Sequence, residues 1–406
     1  MGLDIQLNSA AVGNQTLRND ESPTANPKWS RRRIVARTLY HTGSLGVANR
    51  LAWTHDLERR AGSVLPRLQS ATGSKFGILC YHRVGTDGIP FFSRLTPRMF
   101  EAQMRYVRKH FRVVSLSQLC REMQEGQLVK PTVAVTFDDG YRDLYTHAFP
   151  VLREYQIPAT IYLVGQCVET GEVPWYDRIF LALQVAPGPF LELEKDSPRR
   201  FELSSPAARA TAAWGIVNYL RSISNVQRLA WCAAFERRIP LPLQSLEGRM
   251  LDWQQVRSMS REGIFFGAHT MSHPVLSQLD APTLEAELAS SKQLLEQGLD
   301  SPVEDFAYPF GKPQDFSAND ENVLKRCGYK SAVTTSNGLN TSGANVFRLL
   351  RYQIDEEDSL PSFAFDLSRI FLERVAETNS PSAANLRSDV VETQVEPEAQ
   401  AERIVS

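Results

Sequence analysis

The pattern of apolar and polar positions changes three times along the chain. Residues 1–28 carry Asn, Ser, Thr and Pro with no apolar period, and residues 376–406 read the same way, so both ends are expected to be disordered. From Arg31 to Leu68, Ile34, Val35, Leu39, Leu45, Val47, Leu51 and Leu57 recur among many arginines, which predicts a helical arm over 29–72. Such an arm either packs on the main domain or lies on an anionic membrane face, a peripheral contact through residues 31–68. Gly43, Gly46 and Asn49 weaken a continuous lipid-facing helix and favour the packed arm.

From Phe76 onward, short apolar runs alternate with amphipathic stretches. FGILCYH, FRVVSL, TVAVTF, GIFFGAH, DFAYPF, SAVTT and FRLLRYQI read as strands. Thr96-Pro97 is an N-cap followed by proline at the first helical position, with Phe100, Met104 and Val107 on one face. Further helices are expected near Ser117, after Asp280-Ala281-Pro282, and before a closing Gly328. Strands that are apolar throughout belong in a parallel sheet covered on both faces. Seven or eight such units within roughly 300 residues predict an α/β fold over 73–375, a (β/α) barrel, complete or partly open. The alternation breaks between 166 and 250, where Trp175, Trp214 and Trp231 accumulate, and a mostly helical insertion is expected there.

Composition changes this picture little. The 406 residues are 42% hydrophobic and 22% charged, enough to bury a sizeable core. A net charge of −1, from 45 basic and 46 acidic residues, gives no field that would attract nucleic acid. Cys80, Cys120, Cys167, Cys232 and Cys327 are too far apart for a zinc ribbon or redox pair and read as small buried apolar residues. No run approaches the ~18 apolar residues of a membrane-spanning helix. The first twenty residues lack the basic-then-apolar order of a signal peptide, so a cytoplasmic, membrane-associated location is expected, with export to the cell envelope as the alternative.

Two places carry chemistry. Asp138-Asp139-Gly140 ends the run TVAVTF, where the turn at Gly140 brings both carboxylates toward one point. Two such carboxylates repel unless a cation or shared proton holds them, although Asp-Gly is also an ordinary turn. His269-Thr270-Met271-Ser272-His273 follows another apolar run, and histidines at i and i+4 share one face of a helical turn and can bind one metal. In a parallel barrel both places lie at the C-terminal ends of strands. Together they offer two His and one Asp as ligands, with the other Asp free as a base.

TFDDG, HTMSH and Ala307-Tyr308-Pro309-Phe310-Gly311, in this order, resemble the successive motifs of the polysaccharide deacetylase family, the NodB-homology domains of carbohydrate esterase family four. ILCYHRVG resembles the opening of one branch, and the resemblance runs from about Phe76 to Asp355. It implies a distorted or incomplete (β/α) barrel and a metal-dependent hydrolase that removes N-acetyl groups from a polysaccharide or glycolipid. By it, Asp138 is the general base; Asp139, His269 and His273 hold a divalent metal, commonly zinc in this family. Tyr308, Pro309 and Phe310 line the substrate groove, and a backbone N–H near Tyr308 helps to hold the oxyanion. Many members place the general acid on a late histidine, but no histidine follows His273. His82 is the candidate substitute; a loop hydrogen bond is the other reading of it, and Asp138 could itself return the proton. Ala307 stands where many relatives carry arginine, and Arg351 is the candidate to orient Asp138, or else a surface salt bridge at the substrate site. The alternative function is an inactive glycan-binding protein that keeps the metal site, against which the intact Asp138 argues.

Overall fold

The computed structural model describes residues 36–37, 39–42, 75–86, 94–128, 131–192, 200–241, 248–354 and 359–372. The expected disordered ends, most of the 29–72 arm and most of the 31–68 membrane contact lie outside these residues. Of that arm, Ala36 is buried, and Leu39 and Tyr40 pack against the main core.

In chain order the strands are β1 (Lys75–Tyr81), β2 (Arg83–Val84), β3 (Arg94–Leu95), β4 (Arg112–Val113), β5 (Thr132–Phe137) and β6 (Ala159–Leu163). They continue as β7 (Phe190–Glu192), β8 (Arg200–Glu202), β9 (Ile264–Ala268), β10 (Asp305–Ala307), β11 (Ser331–Val333), β12 (Asn340–Thr341) and β13 (Tyr352–Gln353). One sheet runs β11-β10-β9-β6-β5-β1-β12, with β13 added beside β1 and β4 beside β5. All its pairings are parallel except β1 with β12. The result is a mixed sheet curled into a half-barrel with helices, the partly open form of the expected α/β barrel.

Both faces of the sheet are covered, and for that reason its strands read as continuous apolar runs. Val133, Val135 and Phe137 of β5 enter one cluster with Phe100, Met104 and Val107 of α1 (Pro97–His110). Ala134, between them, enters a second cluster with Ile78 and Val333. The capping signals act locally. Thr96 accepts from the Met99 amide at 3.3 Å, and Asp280 caps a later helix by accepting from the Thr283 amide at 2.9 Å.

Several expected strands shrink: DFAYPF pairs only over Asp305–Ala307 and SAVTT only over Ser331–Val333. In FRVVSL only Arg112–Val113 pairs, because the Ser115 hydroxyl accepts from the Gln118 amide and starts α2 (Leu116–Gln124) at the next residue. In FRLLRYQI only Tyr352–Gln353 is a strand, while Leu349 makes an isolated bridge to Val333. ATIYL, not singled out in the sequence, forms β6 in the middle of the sheet.

After β5 come α3 (Phe149–Glu154), α4 (Gly165–Thr170) and α5 (Trp175–Val185), then the β7–β8 hairpin, α6 (Pro206–Ser222) and α7 (Asn225–Arg238). The segment after β6 has its own core of Trp175, Phe180, Ala213, Ile216, Leu220 and Phe235. Of the three tryptophans there, Trp175 is buried, Trp231 is intermediate and Trp214 is exposed. The chain re-enters the sheet through α8 (Trp253–Arg261), and α9 (Ala281–Leu299), α10 (Ala318–Arg326) and α11 (Leu360–Leu372) complete the helices. No helix among the described residues is long and apolar enough to cross a membrane.

The exit from β5 depends on Gly140. It holds φ +78°, and a Cβ there would lie 2.5 Å from Leu163 Cδ2. Gly140→Ala is therefore expected to destabilise the protein by roughly 2–4 kcal/mol, from left-handed strain and overpacking together. Urea unfolding measures this, and an unchanged midpoint would refute the packing argument.

Candidate active site and metal centre

The C-terminal ends of β1, β5, β9 and β10 meet at one edge of the sheet, and the residues following them converge. Arg351, just before β13, reaches the same point from the strand beside β1. Its two terminal amino groups donate to the two carboxylate oxygens of Asp138 at 2.7 and 2.6 Å, and both residues are buried. Arg351 is thus neither a surface salt bridge nor a residue open to substrate, because its side chain is fully covered. Burial alone would raise the Asp138 carboxyl, but the charge and hydrogen bonds of Arg351 outweigh it and hold the group well below the usual carboxylate range. This depressed value contributes stability above the unfolded value of about 3.9, lost as pH falls through the folded one.

His82, at the end of β1, places Nε2 3.9 Å from Asp138 Oδ2 with its side chain 40% exposed. Its ring makes no hydrogen bond among the described residues. Cys80 also approaches Asp138, with Sγ 3.6 Å from Oδ2. Cys80, His82 and Asp138 could in principle hold a cation. Burial pushes the Cys80 thiol far up, and Arg351 already neutralises Asp138, so this trio is a poor metal site.

Asp139, His269 and His273 form the better one. Asp139 Oδ1 lies 3.6 Å from Nε2 of each histidine, and the two Nε2 atoms are 3.2 Å apart. Burial holds both imidazoles below their usual value, so their lone pairs are free at neutral pH. His269 directs Nδ1 at the Ala307 carbonyl oxygen, 2.7 Å away, which fixes the tautomer with Nε2 available. Burial, together with the charge of Asp138, raises the Asp139 carboxyl to about 6. Asp177 of α5 is raised further, to about 8, by burial and by Asp139, so at neutral pH it adds little negative charge. This donor set, one carboxylate oxygen and two imidazole nitrogens, fits a divalent metal with positions left for water and substrate.

The histidines do not converge on a helical turn, as their spacing suggested. They sit in a loop in which Thr270 (φ 64°) and His273 (φ 56°) are left-handed, as is Asp139 (φ 72°) on the facing loop. Such conformations persist only where neighbours over-determine them. The Thr270 hydroxyl accepts from the His273 amide at 3.0 Å, and the Thr270 carbonyl accepts from the Gly165 amide at 2.9 Å. Trp175 Nε1 donates to the His273 carbonyl at 3.0 Å. Glu287 of α9 accepts from the Met271 and Ser272 amides at 2.8 and 3.0 Å and from the Ser272 hydroxyl at 2.6 Å. Sequence reasoning missed Glu287; it lies on a helix face among other glutamates, and nothing local singles it out.

The residues after β10 are placed differently from the groove lining expected of them. Tyr308 is fully buried, stacked on Phe316 at 4.0 Å, with its hydroxyl donating to the Phe347 carbonyl and its amide to that of Val333. Pro309 is buried as well. Phe310 is half-buried and left-handed (φ 60°), with its ring 4.9 Å from His273 and Arg221 over its face at 4.2 Å. Its amide makes no hydrogen bond among the described residues, whereas the Tyr308 amide is committed to the Val333 carbonyl.

Residues 125–332 match the family profile described as "Polysaccharide deacetylase". The chain is 20% identical over 283 residues to the protein YxkH of Bacillus subtilis, covering 69% of this chain and 72% of that one. It is 32% identical over 71 residues to the poly-beta-1,6-N-acetyl-D-glucosamine N-deacetylase of Staphylococcus epidermidis, and 35% identical over 100 residues to that of Escherichia coli K12. Those two matches span only 25% and 15% of the relatives' lengths. Among solved structures, the Streptococcus pyogenes deacetylase PplD in complex with acetate is similar, with a TM-score of 0.51 at 20% identity, covering 73% of this chain and 99% of that one. At that identity the likeness concerns the fold.

Metal affinity is expected to be flat above about pH 6 and to weaken below it, because Asp139 must lose its proton to bind. Titration with Zn²⁺ between pH 5 and 8 measures this, and an affinity unchanged at pH 5 would contradict the assignment. Glu287→Ala, which frees the histidine loop, is expected to weaken metal binding by about 10–100-fold.

Proposed function

The chain belongs to the polysaccharide deacetylase family, and from that membership we propose that it is a divalent-metal-dependent hydrolase that removes the N-acetyl group of an amino sugar in a glycan. The observation that carries the reading is the juxtaposition of two unlike carboxylates. Asp139 faces two neutral imidazoles, while Asp138 beside it is clamped and ionised by Arg351.

Asp139, His269 and His273 would hold the metal, and the chemistry supplied by a cation there is Lewis-acid activation of water and of the acetamide carbonyl. Asp138 takes the proton of the attacking water. The Arg351 clamp keeps it an open acceptor at every working pH and fixes which lone pairs face the site. The Phe310 amide is the chain's own donor to the developing oxyanion. His82 supports the role of acid toward the leaving amine: it lies beside Asp138, is partly open to solvent, and has no hydrogen bond among the described residues to give it a structural task. Breaking the C–N bond with that proton leaves acetate and a free amine. A metal-keeping glycan binder is disfavoured, since binding alone needs no buried, ionised base at Asp138.

The test is acetate release from N-acetylglucosamine oligomers. Activity is expected to fall to background with a chelator and to return with added divalent metal; activity that survives chelation sinks the mechanism. Asp138→Asn is expected to lower kcat by about 10²–10⁴-fold, the range for loss of a general base. His82→Ala is expected to lower kcat strongly with metal content unchanged, and equal loss of both would make His82 structural.

A further inference from the structure

Beside the reacting groups, α4, α5, α7 and the histidine loop enclose a pocket of about 260 Å³, walled by Trp175, Arg178, Arg228, Cys232, Glu236 and Ser272 among others. It holds two guanidinium groups in very different situations. Arg178 is compensated twice, by Glu172 at 2.8 Å and Glu236 at 3.2 Å. Arg228 is only 3% exposed and has no carboxylate partner within ion-pair distance among the described residues. Its Nε and Nη2 both donate to one neutral oxygen, Asn225 Oδ1, at 3.1 and 2.6 Å, and the group lies over the Trp175 ring at 5.0 Å. Its Nη1 makes no hydrogen bond among the described residues.

A shared amide oxygen and an indole face soften the burial of a cation, but neither carries the opposite charge. The pocket's own carboxylates are both taken by Arg178. Glu287, the acidic group whose field reaches Arg228, is committed to the Met271 and Ser272 amides. The pocket also shares a wall with the metal-ligand loop: the Trp175 ring beneath Arg228 donates through Nε1 to the His273 carbonyl. An anion held by Arg228 would therefore lie one side chain away from the site of hydrolysis.

We propose that this pocket is a subsite for an anionic substituent of the glycan, a carboxylate or a phosphate, with Arg228 as its counter-charge. The proposal rests on the deacetylase reading, and it makes the preferred substrate an acidic glycan rather than a neutral homopolymer of N-acetylglucosamine.

The test compares wild-type, Arg228→Gln and Arg228→Lys on neutral N-acetylglucosamine oligomers and on oligosaccharides alternating N-acetylglucosamine with glucuronic acid or with a phosphorylated sugar. For wild-type, kcat/KM on one acidic series is expected to exceed the neutral series by on the order of tenfold, the worth of one charge-assisted contact. Arg228→Gln brings that ratio near one, chiefly through KM, and Arg228→Lys keeps part of it. A ratio that Arg228→Gln leaves unchanged overturns the subsite. Direct calorimetric titration with glucuronate and with inorganic phosphate tells carboxylate from phosphate and does not depend on turnover. Binding lost in Arg228→Gln supports the subsite even if no amino sugar is hydrolysed, which would instead sink the deacetylase reading. No Arg228-dependent binding of either anion overturns the subsite even if hydrolysis is established. Thermal unfolding supplies a further check: without ligand, Arg228→Gln is expected to unfold at the same or a higher temperature, since it removes an uncompensated buried cation. A marked loss of stability would make Arg228 a structural brace and overturn the proposal.

Discussion

Asp138 and Arg351 form a buried ion pair, and much of the structure answers to that. Removing either charge from water costs several kcal/mol, and the cost is recovered only when geometry is close to ideal. Here it is bidentate, with Arg351 further anchored by donating from Nε to the Thr334 carbonyl at 2.7 Å and from Nη1 to the Thr136 hydroxyl at 3.2 Å. These contacts require β13 to lie beside β1, and β1 beside β5, because Arg351 and Asp138 are far apart in sequence and must arrive at one height on the sheet. The parallel pairings of Leu79 with Tyr352 and of Tyr81 with Phe137 provide this. The same pairings deliver His82 to the open side of Asp138.

The pair also divides the labour of two adjacent carboxylates. With Arg351 on one side, Asp138 stays ionised, and burial together with that neighbouring charge raises the Asp139 carboxyl to about 6. Asp139 is then poised for a cation in a way that an isolated aspartate would not be. Neutral imidazoles supply the remaining donors at no cost in charge, since burial has already removed their protons. Asp139, Thr270, His273 and Phe310 all stand in the left-handed region around this point. Their strain is tolerable because each loop is pinned from elsewhere: the histidine loop by Glu287 and Trp175, the turn after Asp139 by the Leu251 amide on the Gly140 carbonyl, and the turn after Phe310 by the Thr335 amide on the Gly311 carbonyl.

The segment between β6 and β9 completes the site without belonging to the sheet. Tyr176 and Phe310 each bring a ring to 4.9 Å from His273, and Arg221 of α6 covers Phe310. This apolar wall on one side of the histidines keeps the local dielectric low, which strengthens every electrostatic interaction at the centre. Arg228 comes from the same segment, so the anion subsite proposed for it lies outside the sheet that holds Asp138 and Asp139.

The sequence by itself determined the framework and the residues that gather at its site. Continuous apolar runs bounded by helix caps required a doubly covered parallel sheet, and TFDDG and HTMSH at strand ends marked Asp138, Asp139, His269 and His273. The framework was legible because it rests on local rules, periodicity and capping side chains, and the four site residues because TFDDG and HTMSH are short motifs in a fixed order. Tertiary structure alone decided the rest. Arg351, a surface pair or a clamp by sequence, became a clamp only when β13 docked on β1. Tyr308 lies in the core rather than the groove because its amide found a partner on β11 and its hydroxyl one in the turn at Phe347. Glu287 and Arg228 look like any charged residues on a helix face until the loop and the pocket they serve are in place. Their roles depend on contacts distant in sequence, and on burial, which no local pattern encodes.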